Sequence, residues 1–468
     1  MRIILMGFLA SGLLLAASKP AEPKPVVEVP AAFQNAVPGP AATAEWWKAF
    51  GDPMVGELVT RAVAANRDVL VAVERLHEAE ASRTGTRAAL APSLDANTSA
   101  TRLRGGANQG VIKVPSTASG QNGGTFVSPF ETSVVSGGLT MRWEADLFGG
   151  LRKQDKASQA DARAAQDALA DVRRIVAAEV VRNYVELRAA EDQMAVVRAN
   201  VASEQELLEL ISIRVKAGLA TGLDVERQST QLAVVRAQLP ELDRQRLGAA
   251  YRLGVLAGEP PTKLVEELAP RTAGLAVPAI PAAVPGDLLR SRPDLRRAET
   301  QIGAAFLRAG AARADLYPKF VITGLGGRQA TDVAGLTLGG GNYFSVGPAV
   351  TLPIFNYGRI RAKIAVQDAQ LQEALRNYEK EVLAAFEETE NALVGRDRAM
   401  QRQRELEAAR NSANTSVELA RELYTKGLGD FLAVLDAQRQ QFQIDRELAA
   451  ARSDVLRSSV GVFKALGM

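Results

Sequence analysis

The chain has 468 residues, of which 47% are apolar and 23% charged, a composition typical of a folded protein. Its 56 basic and 53 acidic residues nearly balance, which argues against a nucleic-acid-binding protein. It contains no cysteine and one histidine, His77, which excludes disulfides, thiol nucleophiles, zinc fingers, iron–sulfur sites and histidine-based triads. We therefore expect a structural or transport protein, with no catalytic residue, no cofactor and no metal site.

The N-terminus has the pattern of an export signal at residues 1–17, with Arg2 before a short apolar run. That run is too short to cross a bilayer, and no later segment is long and uncharged enough for a transmembrane helix. Residues 15–18 resemble a lipoprotein cleavage box with Ser18 where the acylated cysteine would stand, but an ordinary signal peptide explains them equally well. Serine cannot form the thioether, so no lipidation is expected. The proline-rich segment 18–42 is predicted to be extended.

Four sequence anchors recur later in the chain and indicate an internal repeat. Two pairs are separated by 226 residues, namely 66–69 with 292–295 and 91–94 with 317–320. The next two are separated by 207 and 209 residues, namely 148–152 with 355–359 and 216–219 with 425–428. The smaller offset indicates an insert in the first copy, at 103–132, whose Gly, Ser, Thr and Asn content predicts a solvated loop. The two copies are predicted to span 43–275 and 276–468.

Each copy contains two segments in which apolar and polar residues alternate, the pattern of a strand with one apolar face. We predict strands at about 94–103, 134–146, 319–328 and 343–353. Their length suits the wall of a membrane β-barrel, although for any one strand a soluble β-sandwich is the commoner explanation. Because barrel diameter grows with strand number, four strands cannot close a wide barrel, and several chains would have to share it.

Two very long helices follow the strands, since no proline occurs from Phe130 to Leu239 or from Ile354 to Met468. Glycines at 218, 222, 427 and 429 mark tight turns to returning helices. We predict helical hairpins at about 150–257 and 358–466, and in the second copy a helix at about 286–315. A coiled-coil scaffold would have similar helices, but the export signal and the interleaved strands favour a helical tube that continues into a barrel.

Specific motifs resemble those of a known family, the outer-membrane factors of Gram-negative tripartite efflux systems, in their NodT-like lipoprotein branch. The similarity extends from about residue 45 to 466, and Ser18 departs from it because that branch usually has a lipidated cysteine there. The motifs are Glu45-Trp46-Trp47-Lys48-Ala49-Phe50-Gly51-Asp52-Pro53, Trp143 to Gly149, Arg290 to Glu299, Tyr424 to Gly427 and Val434 to Arg439.

The resemblance implies a TolC-like homotrimer in the outer membrane of a Gram-negative bacterium, in contact with outer-membrane lipid. Each chain would contribute four strands to a twelve-stranded transmembrane β-barrel and helices to a periplasmic α-barrel that closes at its far end. Residues 43–76 and 260–292, with the C-terminus, would form an equatorial region. An inner-membrane RND-type transporter and a periplasmic adaptor would be the partners, since the chain has no phosphate-binding Gly-Lys-Ser/Thr motif for using ATP itself.

The resemblance also implies a gate at the periplasmic end, formed by Leu432, Asp436 and Arg439 after the second turn. A leucine ring would constrict the pore and an aspartate ring would attract cations. Tyr424 and Arg439 are candidate partners of Asp436, and Asp224, in the matching place of the first hairpin, is a candidate partner across the seam. The alternative is an Asp436–Arg439 pair on an exposed helix face. His77 and the acidic residues 387, 388 and 390 are expected to be ordinary packed or surface residues.

These observations predict a passive exit duct for small solutes. One alternative keeps the architecture but serves type I protein secretion. The other is an exported coiled-coil adaptor or scaffold, which would have one hairpin flanked by small β-domains and not two hairpins in a repeat.

Overall fold

The computed structural model describes residues 25, 27–35, 39–40, 43–104, 111–113, 125–127, 131–268, 274–282, 284–333 and 336–468. The predicted signal peptide, Ser18 and most of the proline-rich segment lie outside these residues. In the described part the chain is mainly helical, with one four-stranded antiparallel sheet and one short strand pair.

The main sheet contains four antiparallel strands in the order β1-β4-β5-β6, which leaves β1 and β6 as its edges. Each strand is longer than predicted. In the last two strands the ladder extends past the predicted ends, since Gly340 pairs with Ala330 and Gly341 with Gln329, and a register shift follows between Ala330 and Asp332. A short pair, β2 and β3, occupies part of the predicted loop at 103–132. The strands are β1 (Ser93–Arg104), β2 (Val111–Lys113), β3 (Thr125–Val127), β4 (Glu131–Ala145), β5 (Lys319–Val333) and β6 (Leu336–Thr351).

The main sheet has one apolar and one polar face, as alternation along each strand predicts. On the apolar face the register pairs Leu94 with Met141, Ala96 with Leu139, Ile322 with Trp143 and Val350 with Phe320. On the polar face Asn97 Nδ2 donates to Thr140 Oγ1 at 3.1 Å. Large apolar side chains are exposed on the first face, Phe344 at 89% and Val346 at 71%, so in a single chain this face is uncovered.

A very long helix follows each strand pair: α3 (Gly150–Lys216, 67 residues) and α9 (Tyr357–Thr425, 69 residues), each about 100 Å long. The second returning helix, α10 (Phe431–Ala465), is continuous. The first is divided into α4 (Gly222–Arg236) and α5 (Leu239–Leu256), because Pro240 interrupts the backbone hydrogen bonding. No helix in the described ranges is both long and apolar enough to cross a lipid bilayer.

The remaining helices precede the strands or surround the middle of the long helices. The predicted helix at 286–315 is in fact two helices that meet at Pro293, because the residue before a proline is driven out of the helical conformation. A 3-10 helix covers Trp46–Phe50. The others are α1 (Pro53–Ala65), α2 (Arg67–Ala88), α6 (Lys263–Glu267), α7 (Pro285–Ser291) and α8 (Pro293–Ala314).

The largest hydrophobic core lies where the N-terminal helices pack against the middle of α3 and the end of α10. The Trp46 ring stacks on Phe463 with centroids 4.8 Å apart, and Phe50 and Tyr184 are fully buried. The Tyr184 hydroxyl donates to Asp52 and accepts from Arg188, whose guanidinium also contacts Glu191 at 2.6 Å. This core joins the start of the chain to its end at mid-length of the tube-like hairpins.

The repeat is visible in backbone geometry at the hairpin turns. Gly218 and Gly427, 209 residues apart, have φ of 73° and 74°. In each turn the following leucine donates its N–H to a carbonyl five residues earlier, Leu219 to Arg214 at 2.8 Å and Leu428 to Leu423 at 2.9 Å. These left-handed glycine caps end both outgoing helices in the same way.

The repeat is equally visible at the opposite ends of the returning helices. Asn66, which caps α2, donates its side-chain amide to the carbonyl of Leu256 at 3.0 Å. Arg292, which precedes α8, donates to the carbonyl of Ala465 at 3.0 Å. The donors are 226 residues apart and the acceptors 209, as the sequence anchors predict. The internal two-fold repeat is therefore confirmed at the level of individual contacts.

Candidate functional site at the hairpin tips

The predicted gate residues lie at the end of the hairpins, around a small apolar cluster. The cluster contains Leu207, Ile211, Tyr424, Phe431, Val434 and Leu435. Its members come from α3, α9 and α10, so the cluster packs the end of the first outgoing helix against both helices of the second hairpin. The turns at residues 217–221 and 426–430 therefore form one rigid tip with two similar loops.

Tyr424 is buried in this tip, with 6% of its surface exposed. Its ring lies 6.0 Å from that of Phe431, and the Arg214 guanidinium lies over the Tyr424 ring, 4.4 Å from the centroid. Burial raises the pKa of Tyr424, which Arg214 opposes and Asp224 reinforces, so the side chain stays an uncharged phenol at neutral pH. The structure thus joins Tyr424 to Arg214, a residue that sequence reasoning missed.

Asp224 and Asp436 occupy different positions in their hairpins. Asp224 is the third residue of α4 and caps it, since the carboxylate accepts from Thr221 N at 3.0 Å and from Thr221 Oγ1 at 2.7 Å. In the second hairpin Asp430 has the capping role and accepts from Ala433 N at 2.9 Å. Asp436 lies one and a half turns further on. The predicted equivalence of Asp224 and Asp436 is wrong, because the 209-residue offset matches Asp436 with Arg227.

Asp436 is exposed on α10 and has no hydrogen bond or ion pair with any described residue. Arg439, its candidate partner, donates from Nε to Gln231 Oε1 at 3.0 Å and so faces α4. The alternative of an Asp436–Arg439 pair on one helix face is therefore wrong within a single chain, because the Arg439 guanidinium points towards α4 and binds Gln231 there. Asp436 remains a free carboxylate near the tip.

Leu432 is 46% exposed, and it is one of four exposed leucines that follow the turn glycines, Gly218 and Gly427, within five residues. The repeat relates them in pairs, because each lies at the same place in its hairpin: Leu219 (67%) with Leu428 (75%), and Leu223 (58%) with Leu432. Several large apolar side chains exposed at one end of the hairpins are a candidate surface for contact with another protein.

A polar layer lies above the tip cluster, between it and the next apolar cluster of Met194, Val197, Val235, Leu242 and Phe442. Its buried members are Glu204 (3% exposed), Gln228 (0%), Gln231 (8%) and Gln438 (4%). Sequence reasoning missed it. A signal was present, since Glu204 is spaced three and seven residues from Leu207 and Ile211 and so lies on their buried stripe.

The arrangement offers binding surfaces and a free carboxylate but no reactive constellation. In the part of the chain that the structure describes, no three His, Asp or Glu side chains come close enough to hold a metal ion. His77 is exposed and faces Glu74 at 3.3 Å. Glu388 forms an ion pair with Arg292 at 2.7 Å, and Glu390 accepts from the backbone of Gln34 at 2.8 Å.

Comparison with known proteins decides the family. The model of the outer membrane efflux protein family matches residues 58–259 and 284–468, most of the chain. The chain belongs to the outer membrane efflux protein family. The match spans both copies of the repeat, so the predicted resemblance is confirmed.

Similarity to individual proteins supports the same family. The pyoverdine export outer membrane protein OpmQ of Pseudomonas aeruginosa is 31% identical over 430 residues, which cover 90% of this chain and 87% of OpmQ. Nodulation protein T of Rhizobium leguminosarum bv. trifolii is 28% identical over 419 residues, 88% of this chain and 85% of its own length. The outer-membrane channel OprN is a solved structure with a TM-score of 0.83 and 30% identity, covering 96% of this chain and 98% of OprN.

These findings confirm the main predictions for the efflux protein. It has the fold of outer-membrane efflux channels, functions as the outer-membrane component of an efflux system and is located in the outer membrane of a Gram-negative bacterium. The adaptor and scaffold alternatives are wrong, since the chain has two hairpins and a four-stranded sheet. The soluble-sandwich explanation of the strands is wrong too, because a sandwich packs two sheets face to face, whereas the apolar face of the main sheet is uncovered in the described residues.

Proposed function

We propose that three copies of this chain form one passive exit duct, with a twelve-stranded barrel in the outer membrane and a helical tube below it. The observation that carries the proposal is the open sheet. Its apolar face is exposed, and β1 and β6 each leave one edge unpaired. In a lipid bilayer every backbone donor and acceptor must be paired, so a four-stranded open sheet cannot exist there alone. Pairing β6 of one chain with β1 of the next removes both edges.

Trimer closure is supported by the way the sheet continues into the helices. Only a few residues separate β4 from α3 and β6 from α9. α2 and α8 lead into the strands from the same side and pack along the long helices. Every strand is thus continued by a helix, and closing the sheet into a ring closes the helices into a tube of the same symmetry.

The duct has no energy source of its own, because the chain has no nucleotide-binding motif, and it acts as a channel and not as an enzyme. We assign energy supply to an inner-membrane RND-type transporter and docking to a periplasmic adaptor. The exposed leucines at 219, 223 and 428 are the surface we assign to the adaptor, whereas Leu432 is assigned to the gate. The name of OpmQ includes pyoverdine export, which supports small solutes as the cargo.

The gate belongs to the same proposal. Three copies of Leu432 near the threefold axis form a hydrophobic constriction, and three copies of the unpartnered Asp436 form an anionic ring one turn away. Tyr424 and Asp224 hold the tip in shape, through Arg214 and Thr221 respectively, while Arg439 fixes α10 to α4 through Gln231.

The gate is tested by Asp436→Ala, with Arg227→Ala at the repeat-related position as the matched control. Both residues are exposed, so neither change disturbs a buried contact. We expect Asp436→Ala to assemble normally and to raise the single-channel conductance in planar bilayers, whereas Arg227→Ala leaves the conductance near that of the unmodified protein. An unchanged conductance in Asp436→Ala contradicts the gate.

Trimer closure is tested by disulfide cross-linking, which is straightforward because the chain has no cysteine. A cysteine at Ala100 on β1 is combined with one at Phe344 or at Val346 on β6, since all three lie on the apolar face. If β6 of each chain pairs with β1 of the next, oxidation of at least one combination links three chains into a covalent ring that survives denaturation.

The control for this experiment replaces the β6 cysteine by one at Ser345, which lies on the opposite face of the sheet. That combination should stay monomeric in denaturing gels, as should each single-cysteine variant. If neither same-face combination cross-links, or if cross-linking stops at pairs of chains, the trimeric barrel is contradicted.

A further inference from the structure

The polar layer above the tip contains a pair of buried side chains that the gate does not use. Gln228 of α4 donates from Nε2 to the backbone oxygen of Glu204 at 3.0 Å and to its carboxylate oxygen Oε2. Glu204 is 3% exposed and Gln228 is fully buried. The pair spans the outgoing and returning helices of the first hairpin.

If Glu204 is ionised, the pair contains a buried acceptor oxygen for which the described residues supply no hydrogen-bond donor. Gln228 Oε1 is buried and has no hydrogen-bond partner among the described residues. An ionised carboxylate only accepts, and cannot supply the missing proton. Exchanging the amide nitrogen and oxygen does not help, because the amide oxygen would then face two acceptors of Glu204. A protonated Glu204 carboxyl supplies the one donor that the pair lacks.

The surrounding charges do not supply a counterion in contact with Glu204. Arg421 of α9 and Arg439 of α10 are the charged groups that face it, and α4 presents only the neutral Gln228. Arg421 donates to Ser203 Oγ at 2.8 Å and Arg439 to Gln231 Oε1 at 3.0 Å. Neither forms an ion pair with Glu204, and the buried Arg421 Nε has no hydrogen-bond partner among the described residues. Burial raises the pKa of Glu204, and the hydrogen bond from Gln228 and the two arginines offset it only in part.

We propose that Glu204 is an uncharged carboxylic acid that latches α3 to α4 through Gln228, and that the first hairpin loosens above its tip when rising pH removes this proton. The sign follows from burial. A carboxyl group that is harder to ionise in the folded hairpin stabilises it fully at acidic pH, and this contribution is lost as the pH rises through the folded-state pKa. Any effect on the gate rests on the function proposed above, whereas the latch itself does not.

The latch is tested by the distance between α3 and α4 in the full-length protein. Spin labels are attached to cysteines introduced at Gln205 and Ser229, two exposed uncharged positions next to the pair. Labelled chains are diluted with unlabelled ones, so that pulsed dipolar spectroscopy measures distances within one chain. We expect a narrow distance distribution at mildly acidic pH that loses its narrow component as the pH becomes alkaline.

Glu204→Gln is the decisive variant, because glutamine has the shape of the protonated acid and cannot ionise. It should keep the narrow distribution at every pH and should lose the infrared band of a buried protonated carboxyl. Glu209→Gln, at an exposed position of α3, should retain the pH response of the labelled parent. The proposal is overturned if Glu204→Gln responds to pH like the parent, or if the parent does not respond. These distances do not depend on trimer conductance, so their failure is distinct from failure of the duct.

Discussion

The two copies of the repeat agree in their backbone and differ in the side chains that hold it. Both outgoing helices end at a left-handed glycine, and both returning helices receive a hydrogen bond on a carbonyl of their last residues. The donor is the neutral Asn66 in the first copy and the cation Arg292 in the second. The first returning helix is broken near Pro240, whereas the second runs unbroken for 35 residues.

This difference shows which parts of the hairpin are set by geometry and which by chemistry. A turn or a helix end must satisfy the same backbone groups in both copies, so equivalent contacts recur at fixed offsets. The side chains around those contacts are free to diverge. At the tip this freedom places an acid, Asp436, in one copy and a base, Arg227, in the other. In the proposed trimer, six hairpins of similar backbone would therefore present only three copies of each of these charged side chains at the tip.

The side chain that binds the end of each returning helix should give the largest difference in stability between the two copies when it is removed. Arg292 is 5% exposed and forms ion pairs with Asp294 and Glu388, both at 2.7 Å, besides its bond to Ala465. Arg292→Ala removes the donor to the buried carbonyl of Ala465 and the counterion of the half-buried Asp294, while Glu388 stays partly solvated. This change should lower the free energy of unfolding by about 3 kcal/mol. Asn66→Ala removes a neutral cap and should cost about 1–2 kcal/mol. Denaturant titration of the detergent-solubilised protein measures both.

The same contact predicts a dependence on pH that is confined to the second copy. Burial raises the pKa of Asp294, but the hydrogen bonds and charge of Arg292 outweigh it and hold this pKa below its ordinary value. The ion pair therefore stabilises the protein above the ordinary aspartate pKa, and the contribution is lost as the pH falls through the lower folded-state value. The cost of Arg292→Ala should shrink in strong acid while that of Asn66→Ala stays constant. If the stability losses of Arg292→Ala and Asn66→Ala changed with pH in the same way, this explanation would be contradicted.

Replacing the glycine after each returning helix by alanine should give a smaller difference in stability between the copies. Gly258 has φ of 73°, and a methyl group there would lie 2.3 Å from the Ala65 carbonyl oxygen. At Gly467, with φ of 82°, the added methyl group would lie 2.8 Å from Arg292 Cγ and 3.0 Å from the Arg292 backbone, a looser clash than the one at Gly258. Gly258→Ala should cost about 2 kcal/mol and Gly467→Ala about 1 kcal/mol of unfolding free energy.

Gly248→Ala provides the control for these glycines. Gly248 lies inside α5, where an added methyl meets nothing within 4 Å, so alanine should stabilise the helix by about 1 kcal/mol. Equal losses at positions 258 and 467 would show that the left-handed backbone, and not the neighbour, sets the cost.

The helix caps at the tip predict the smallest difference. Asp430→Ala removes the side chain that caps α10, and Asp224→Ala removes the one that binds Thr221 at the start of α4. Each should lower the local stability of its first helical turn by about 1 kcal/mol. Hydrogen exchange of the first-turn amides measures the two effects separately, and a cost confined to one hairpin would break the equivalence of the tips.

Much of the fold could be predicted because periodicity and repeats are local or regular. The long helices and their glycine turns follow from composition, and the offset of 209 predicts that the turns are alike. The strands were predicted too short, since glycines such as Gly340 and Gly341 have little strand propensity of their own. They belong to β6 because β5 pairs with them, which is a property of the sheet and not of the segment.

The candidate site was less predictable. Leu432 and Asp436 were identified through resemblance, and their exposure is visible only in the fold. The Arg214–Tyr424 contact joins the two hairpins through residues 210 apart, and the Glu204–Gln228 pair joins consecutive helices whose relative rotation no spacing rule gives. Likewise the partner of Arg439 proved to be Gln231, because packing between α10 and α4 outweighed a neighbour three residues away.

The measurement that tests the central claim most directly is the mass of the detergent-extracted particle, with the membrane fraction from which it comes. Sedimentation of cell membranes and light scattering of the purified particle provide both. The account predicts a particle with three times the mass of one exported chain, recovered from the outer-membrane fraction. A monomer or dimer, or a protein recovered from the soluble periplasm, would contradict it.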